Sequence, residues 1–142
     1  MRNITEIIVH CTATPRLRDV SVAEIDRWHR QRGFNRIGYH YVVALDGTIA
    51  PGRDENAVGA HCLGHNAESI GVAYVGGTEI DGHPADTRTP QQSESLTALL
   101  RSLLSRYPGA RIRGHRDFAA KACPSFDATA EYACLSAERR PT

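Results

Sequence analysis

The chain has 142 residues, 41% of them hydrophobic and 23% charged, and a length of this order builds one core rather than two. That balance is too apolar for a disordered chain, and no apolar run approaches the roughly 20 residues of a membrane span, so insertion into a membrane is not expected. A net charge of +1 leaves no concentrated basic excess for nucleic acid or an anionic lipid surface, and neither is expected as a partner.

In chain order, Thr5 to Cys11 carries Ile7, Ile8 and Val9 in a row, the pattern of a strand buried on both faces. Ser21 with Glu24 three residues later forms a capping box, and Val22, Ile25 and Trp28 give a helical face that runs to about Arg32, before Gly33. Tyr39 to Leu45 and Thr48 to Pro51 flank Asp46-Gly47, the signal of a hairpin with a two-residue turn. Ile70 to Val75 reads as a further strand, closed by Gly76-Gly77. Thr89-Pro90 caps the clearest helix, in which Leu96, Leu99, Leu100, Leu103, Leu104 and Tyr107 form one apolar stripe ending at Pro108-Gly109. A short strand at Arg111 to Arg113 and a weak helix from about Asp127 to Leu135 follow. The expected fold is a single α/β domain, a central mixed sheet flanked by about three helices. Gly52 to Ser69 and Gly114 to Phe126 lack periodicity, and long irregular segments in a small domain tend to carry function.

The amino terminus lacks the charged and apolar regions of a secretory signal, so synthesis in the cytoplasm is expected. Cys11, Cys62, Cys123 and Cys134 show no CxxC spacing. In a reducing compartment they are expected as thiols or metal ligands, with a Cys11 to Cys62 bridge left open. Of the 17 basic residues sixteen are arginine, and Lys121 is the one lysine. A genome favouring arginine codons accounts for that imbalance without any chemistry.

Two of the seven histidines, His10 and His115, stand at the carboxyl ends of predicted buried strands. Ligands of open α/β sheets collect beyond those ends, so parallel strands would present both imidazoles to one crevice. Cys123 lies eight positions after His115, in a loop able to fold back over the same edge. Two histidines and a cysteine match the protein ligands of a catalytic zinc, but a histidine at a strand end is more often a hydrogen-bonded core or rim residue and a buried cysteine more often a small hydrophobe, so the pattern alone favours those readings. His61 and His65 form a second pair, which Gly59 and Gly64 place in a loop; His61 is a candidate for lining the cleft. There is no G-x-S-x-G elbow, phosphate loop or dinucleotide fingerprint. A cysteine peptidase built on His10-Cys11 is opposed by their adjacency, since neighbours on one strand face opposite ways.

The segments IIVHCTAT, GYHYVVALDGTIAPGRDENAVGAH, SIGVAYVGG and RGHRDFAAKACPSFD together resemble the zinc-dependent N-acetylmuramoyl-L-alanine amidases of the type 2 amidase and peptidoglycan-recognition superfamily, within it the small phage lysozymes. The match runs in order from about Ile7 to Asp127. The resemblance implies one zinc per chain on His10, His115 and Cys123, with Tyr39 and Lys121 catalytic but not ligands. It implies peptidoglycan as the partner, cut between N-acetylmuramic acid and the stem-peptide L-alanine, by a phage or prophage endolysin that reaches the wall after release. Residues 1–142 are then expected to be one amidase domain with no separate wall-binding domain, acting as a monomer. The Arg53 to His65 and Thr78 to Thr89 segments are expected to border the groove. Two other readings on the same fold are a recognition module without catalysis and a polymerase-regulating relative.

Overall fold

The structure is a computed structural model and describes residues 2–138. In chain order its elements are β1 (Glu6–Cys11), β2 (Thr14–Pro15), α1 (Val22–Gln31), β3 (Tyr41–Val43), β4 (Ile49–Pro51), β5 (Ser69–Tyr74), β6 (Gly77–Thr78), α2 (Pro90–Arg106), β7 (Arg111–Gly114), α3 (Ala128–Glu131) and α4 (Ala133–Glu138). A single 3-10 turn, His115–Asp117, follows β7.

Five strands form one mixed sheet in the order β4-β3-β5-β1-β7. β1 lies between β5 and β7 and runs parallel to both, while β4 closes the far edge antiparallel to β3. This is the α/β fold with a mixed sheet expected from the pattern, and the run Ile7, Ile8, Val9 is fully buried because both faces of β1 are covered. Ile7, Val9, Ile70, Val72 and Tyr74 face α2, whose stripe from Leu96 to Leu104 packs over them. Val42 and Val75 pack instead with Ile25 of α1 and with Val20 and Ile37.

Both long helices begin where their sequences demand. Ser21 Oγ accepts from the Glu24 N–H, and the Glu24 carboxylate accepts in return from the Ser21 N–H. Thr89 and Gln92 repeat the arrangement at α2, and Gln92 also donates to the carbonyls of Val43 and Val75, tying the helix to the sheet. Leu100 is wholly buried beneath this helix. Leu100→Ala is expected to destabilise the fold by about 2–5 kcal/mol, read from denaturant midpoints, because a cavity adds to the lost burial.

Two expectations need correction, and one open alternative, the cysteine bridge, is decided. The hairpin is present but shorter: Val43 pairs with Ile49, so residues 44–48 form the connection rather than Asp46-Gly47 alone. The Ala44 N–H donates to the Thr48 carbonyl, which leaves three residues in the loop; Asp46 accepts from the Thr48 N–H, and Gly47 supplies the left-handed φ of +90° that such a loop uses. The carboxyl-terminal helix is split at Tyr132 into α3 and α4. All four cysteines are free thiols, so Cys11 and Cys62 are not bridged.

Candidate metal centre and groove

Strand pairing builds the site. β1 and β7 run parallel with Val9 opposite Gly114, so the next residue of each strand, His10 and His115, emerges at the same edge. Alternation turns His10 away from the α2 face that Val9 and Cys11 occupy. The two imidazoles meet with Nδ1 to Nδ1 at 3.1 Å. The loop after His115 returns because the Arg116 N–H donates to the Cys123 carbonyl at 2.8 Å, which brings the Cys123 thiol back over the strand ends. Its Sγ lies 3.9 Å from His10 Nδ1 and accepts from the Cys11 N–H at 3.2 Å. One ligand atom from each of His10, His115 and Cys123 thus falls within 4.8 Å of the others, the single such group of histidine, cysteine or acidic residues among the described residues.

The electrostatics keep both imidazoles of this cluster in the neutral, metal-binding form. Burial holds His10 well below the usual imidazole range, and the neighbouring His61, His115 and Lys121 push the same way. His115 is lowered by burial and then by Lys121. Both rings are therefore neutral at pH 7, with lone pairs free to bind a metal. Cys123 and Cys11 share a hydrogen bond that raises the Cys123 thiol and lowers Cys11, and burial adds to the rise at Cys123.

The cluster sits in a groove of about 680 Å³ lined on one side by His29, Arg32 and Phe34 and on the other by Leu63, Phe118 and Lys121. Tyr39 is half-buried in it, its ring 5.1 Å from that of His10. Burial, then the two thiols, raise the Tyr39 phenol, so it is a proton donor rather than a phenolate. Lys121 is exposed at the rim and forms no ion pair among the described residues. His115, Cys123, Tyr39 and Lys121 line this groove together with His61, and His10 adjoins it through its contacts with His115, Cys123 and Tyr39.

Arg53 to His65 reaches the groove through residues 60–63, but Thr78 to Thr89 does not. That segment is tied instead to its neighbours: β6 pairs with β2, Glu79 meets Arg16, and Arg88 binds Glu131 above the Phe126 ring. Two histidines that showed no distinctive sequence signal prove to be buried. His29 Nδ1 accepts from the Gly38 N–H at 2.8 Å, behind Tyr39, and His40 Nδ1 accepts from the Gly71 N–H at 3.0 Å.

Burial lowers both His29 and His40 from the ordinary 6.5. Below that value the unfolded chain takes up protons that the folded chain resists, so stability present above about pH 6.5 is lost as the pH falls. Thermal melts of metal-free protein are expected to show a lower midpoint at pH 5 than at pH 7.5; an equal or higher midpoint at pH 5 would contradict this.

Comparison with known proteins identifies the family. The N-acetylmuramoyl-L-alanine amidase family model matches residues 1–126. The endolysin of Escherichia phage T7 is 49% identical over 121 residues, covering 85% of this chain and 80% of that protein. The endolysin of Klebsiella phage KP32 is 46% identical over 123 residues, covering 87% and 82%. Among solved structures, the N-acetylmuramoyl-L-alanine amidase LysC from Clostridium intestinale URNW superposes with a TM-score of 0.80 at 36% identity, over 96% of this chain and 85% of that one. Drosophila PGRP-LB, at 23% identity and a TM-score of 0.78 over 94% and 81%, shares the fold. With the family model and these endolysins spanning most of its length, the chain belongs to the N-acetylmuramoyl-L-alanine amidase family.

Proposed function

We propose that this amidase cuts peptidoglycan as a single-zinc hydrolase, with His10, His115 and Cys123 holding the ion and Tyr39 and Lys121 acting on the substrate, and that it serves as an endolysin. The observation that carries the reading is the His10, His115, Cys123 cluster at the strand ends. Zinc–nitrogen distances of about 2.0–2.1 Å and a zinc–sulfur distance of about 2.3 Å put tetrahedral ligand atoms about 3.3 Å apart for two nitrogens and about 3.6 Å for nitrogen and sulfur. The separations of 3.1 Å and 3.9 Å lie close to both. A donor set of two neutral imidazoles and one thiol also suits zinc better than magnesium or calcium, which take oxygen ligands.

When bound, zinc supplies Lewis acidity, lowering the pKa of a water to about 7 and polarising the scissile carbonyl. The protein groups account for the rest of the reaction. Water adds its oxygen to the amide carbon and gives up one proton, negative charge gathers on the carbonyl oxygen, and the carbon–nitrogen bond then breaks as the nitrogen takes up a proton, so that the hydroxyl of water ends on the acyl carbon and its hydrogen on the amine. The Lys121 ammonium offers that developing oxyanion a compact charge at the rim. Tyr39, kept protonated by burial, donates a hydrogen bond within the groove. The groove carries no carboxylate among its lining residues, so nothing there opposes the charge that develops on oxygen.

Digestion of purified walls followed by mass spectrometry tests the reading. Release of peptides with free L-alanine amino termini from intact glycan strands is expected. New reducing sugar ends without those termini would mean a glycosidase, and wall binding with no product would mean a recognition module.

A further inference from the structure

The metal cluster accounts for His10 Nδ1 but leaves its other ring nitrogen facing inward, where Nε2 lies 2.8 Å from His61 Nδ1. His61 Nε2 in turn lies 3.2 Å from Ser69 Oγ on β5. These contacts have one consistent direction. With the Nδ1 lone pair of His10 turned to the cluster, its proton sits on Nε2 and is donated to His61. His61 then accepts on Nδ1, carries its own proton on Nε2 and donates that to the Ser69 hydroxyl, which accepts.

The His61 ring occupies a slot made for it. A Cβ at Gly71 would lie 2.6 Å from the ring, and one at Gly59 would lie 2.8 Å from it, so any larger residue at either position displaces the imidazole. Asn66 Oδ1 accepts from the His61 and Cys62 N–H groups, both at 2.9 Å, and fixes the backbone that carries the ring. The side chain is 8% exposed, although it belongs to a loop without regular structure.

We propose that His61 is a positioning residue for the metal centre: as the acceptor for His10 Nε2–H it locks the tautomer and rotation that aim His10 Nδ1 at the ion, and Ser69 holds it in that role. The proposal rests on the reading of His10 as a ligand. Metal-bound histidines usually donate their second N–H to a carboxylate, a backbone carbonyl or water. A neutral imidazole in that place orients the ligand without adding negative charge, so two imidazoles and one thiolate leave a divalent ion with net positive charge and its Lewis acidity intact.

The test compares zinc affinity, measured by competition with a chromogenic chelator, in wild type, His61→Phe, His61→Asn and Ser69→Ala. It adds the visible spectrum of each protein loaded with cobalt. His61→Phe keeps a planar ring but no acceptor, and is expected to weaken zinc binding by about 10–100-fold, the usual effect of losing an outer partner of a metal ligand. Its cobalt bands are expected to shift. His61→Asn returns an acceptor oxygen near the Nδ1 position and is expected to recover most of the affinity. Ser69→Ala, which leaves His61 in its slot but removes its acceptor, reports on the same chain of contacts should His61→Phe fail to fold; a weaker affinity is expected. Wild-type affinity and an unchanged cobalt spectrum in His61→Phe would overturn the proposal, as would folded Phe and Asn variants weakened alike, or, where His61→Phe does not fold, an unaltered Ser69→Ala. Failure of wild type itself to bind zinc would instead overturn the metal reading beneath it.

Discussion

Cys123→Ala is expected to lose bound zinc and wall hydrolysis together. Cys123 is the one ligand of the three able to bring a negative charge, and its sulfur is steadied by the Cys11 N–H at 3.2 Å. Without it, two neutral imidazoles remain at the end of the sheet, and a pair of nitrogen ligands does not retain zinc against a chelator. The loss is expected to exceed the roughly 100-fold that removal of an outer partner causes. Metal content and product release measured on one preparation check it. Cys134→Ala, at an exposed thiol on α4, serves as the control and is expected to keep both. A Cys123→Ala protein with full zinc and full turnover would remove this residue from the site.

Lys121→Arg is expected to separate the two properties, keeping zinc while losing about 10²–10³-fold in turnover, the range seen when an oxyanion donor is removed. The charge is conserved in this substitution, so a purely electrostatic role at the rim would leave activity almost unchanged. Arginine presents a broad planar fork in place of a compact ammonium, and the two are not equivalent where a single small oxyanion is to be met. Steady-state rates on soluble wall fragments, with zinc content measured alongside, check the outcome. Full turnover in the variant would return the single lysine to a matter of base composition.

The contrast between these residues and their surroundings shows what a sequence reveals. Local chemistry was legible: Ser21 with Glu24 and Thr89-Pro90 mark helix starts because caps are satisfied within four residues. The buried run Ile7, Ile8, Val9 marks a central strand because both faces of β1 are covered. The pairing of β2 with β6 was not legible, since two residues on each side carry no periodicity. At the site, His10 and His115 are 105 positions apart, and only the parallel register of β1 with β7 makes them neighbours. Residue type and strand-end placement suggested the pair, and the ordered motif series, rather than spacing, supplied Tyr39 and Lys121. The burial of His40 and His61 depends on glycines at 59 and 71 that approach only in the folded chain, so nothing local announced it. Thr78 to Thr89 carries no local signal of its packing, and its partners, Arg16 for Glu79, Glu131 for Arg88 and β2 for β6, are set only by the fold.

The most direct test is zinc titration of chelator-stripped protein, with release of L-alanine amino termini followed at each addition. No release is expected from the stripped chain before zinc is added, and release is expected to rise to a plateau at one zinc per chain. Full release by the stripped chain before any zinc is added would contradict this mechanism.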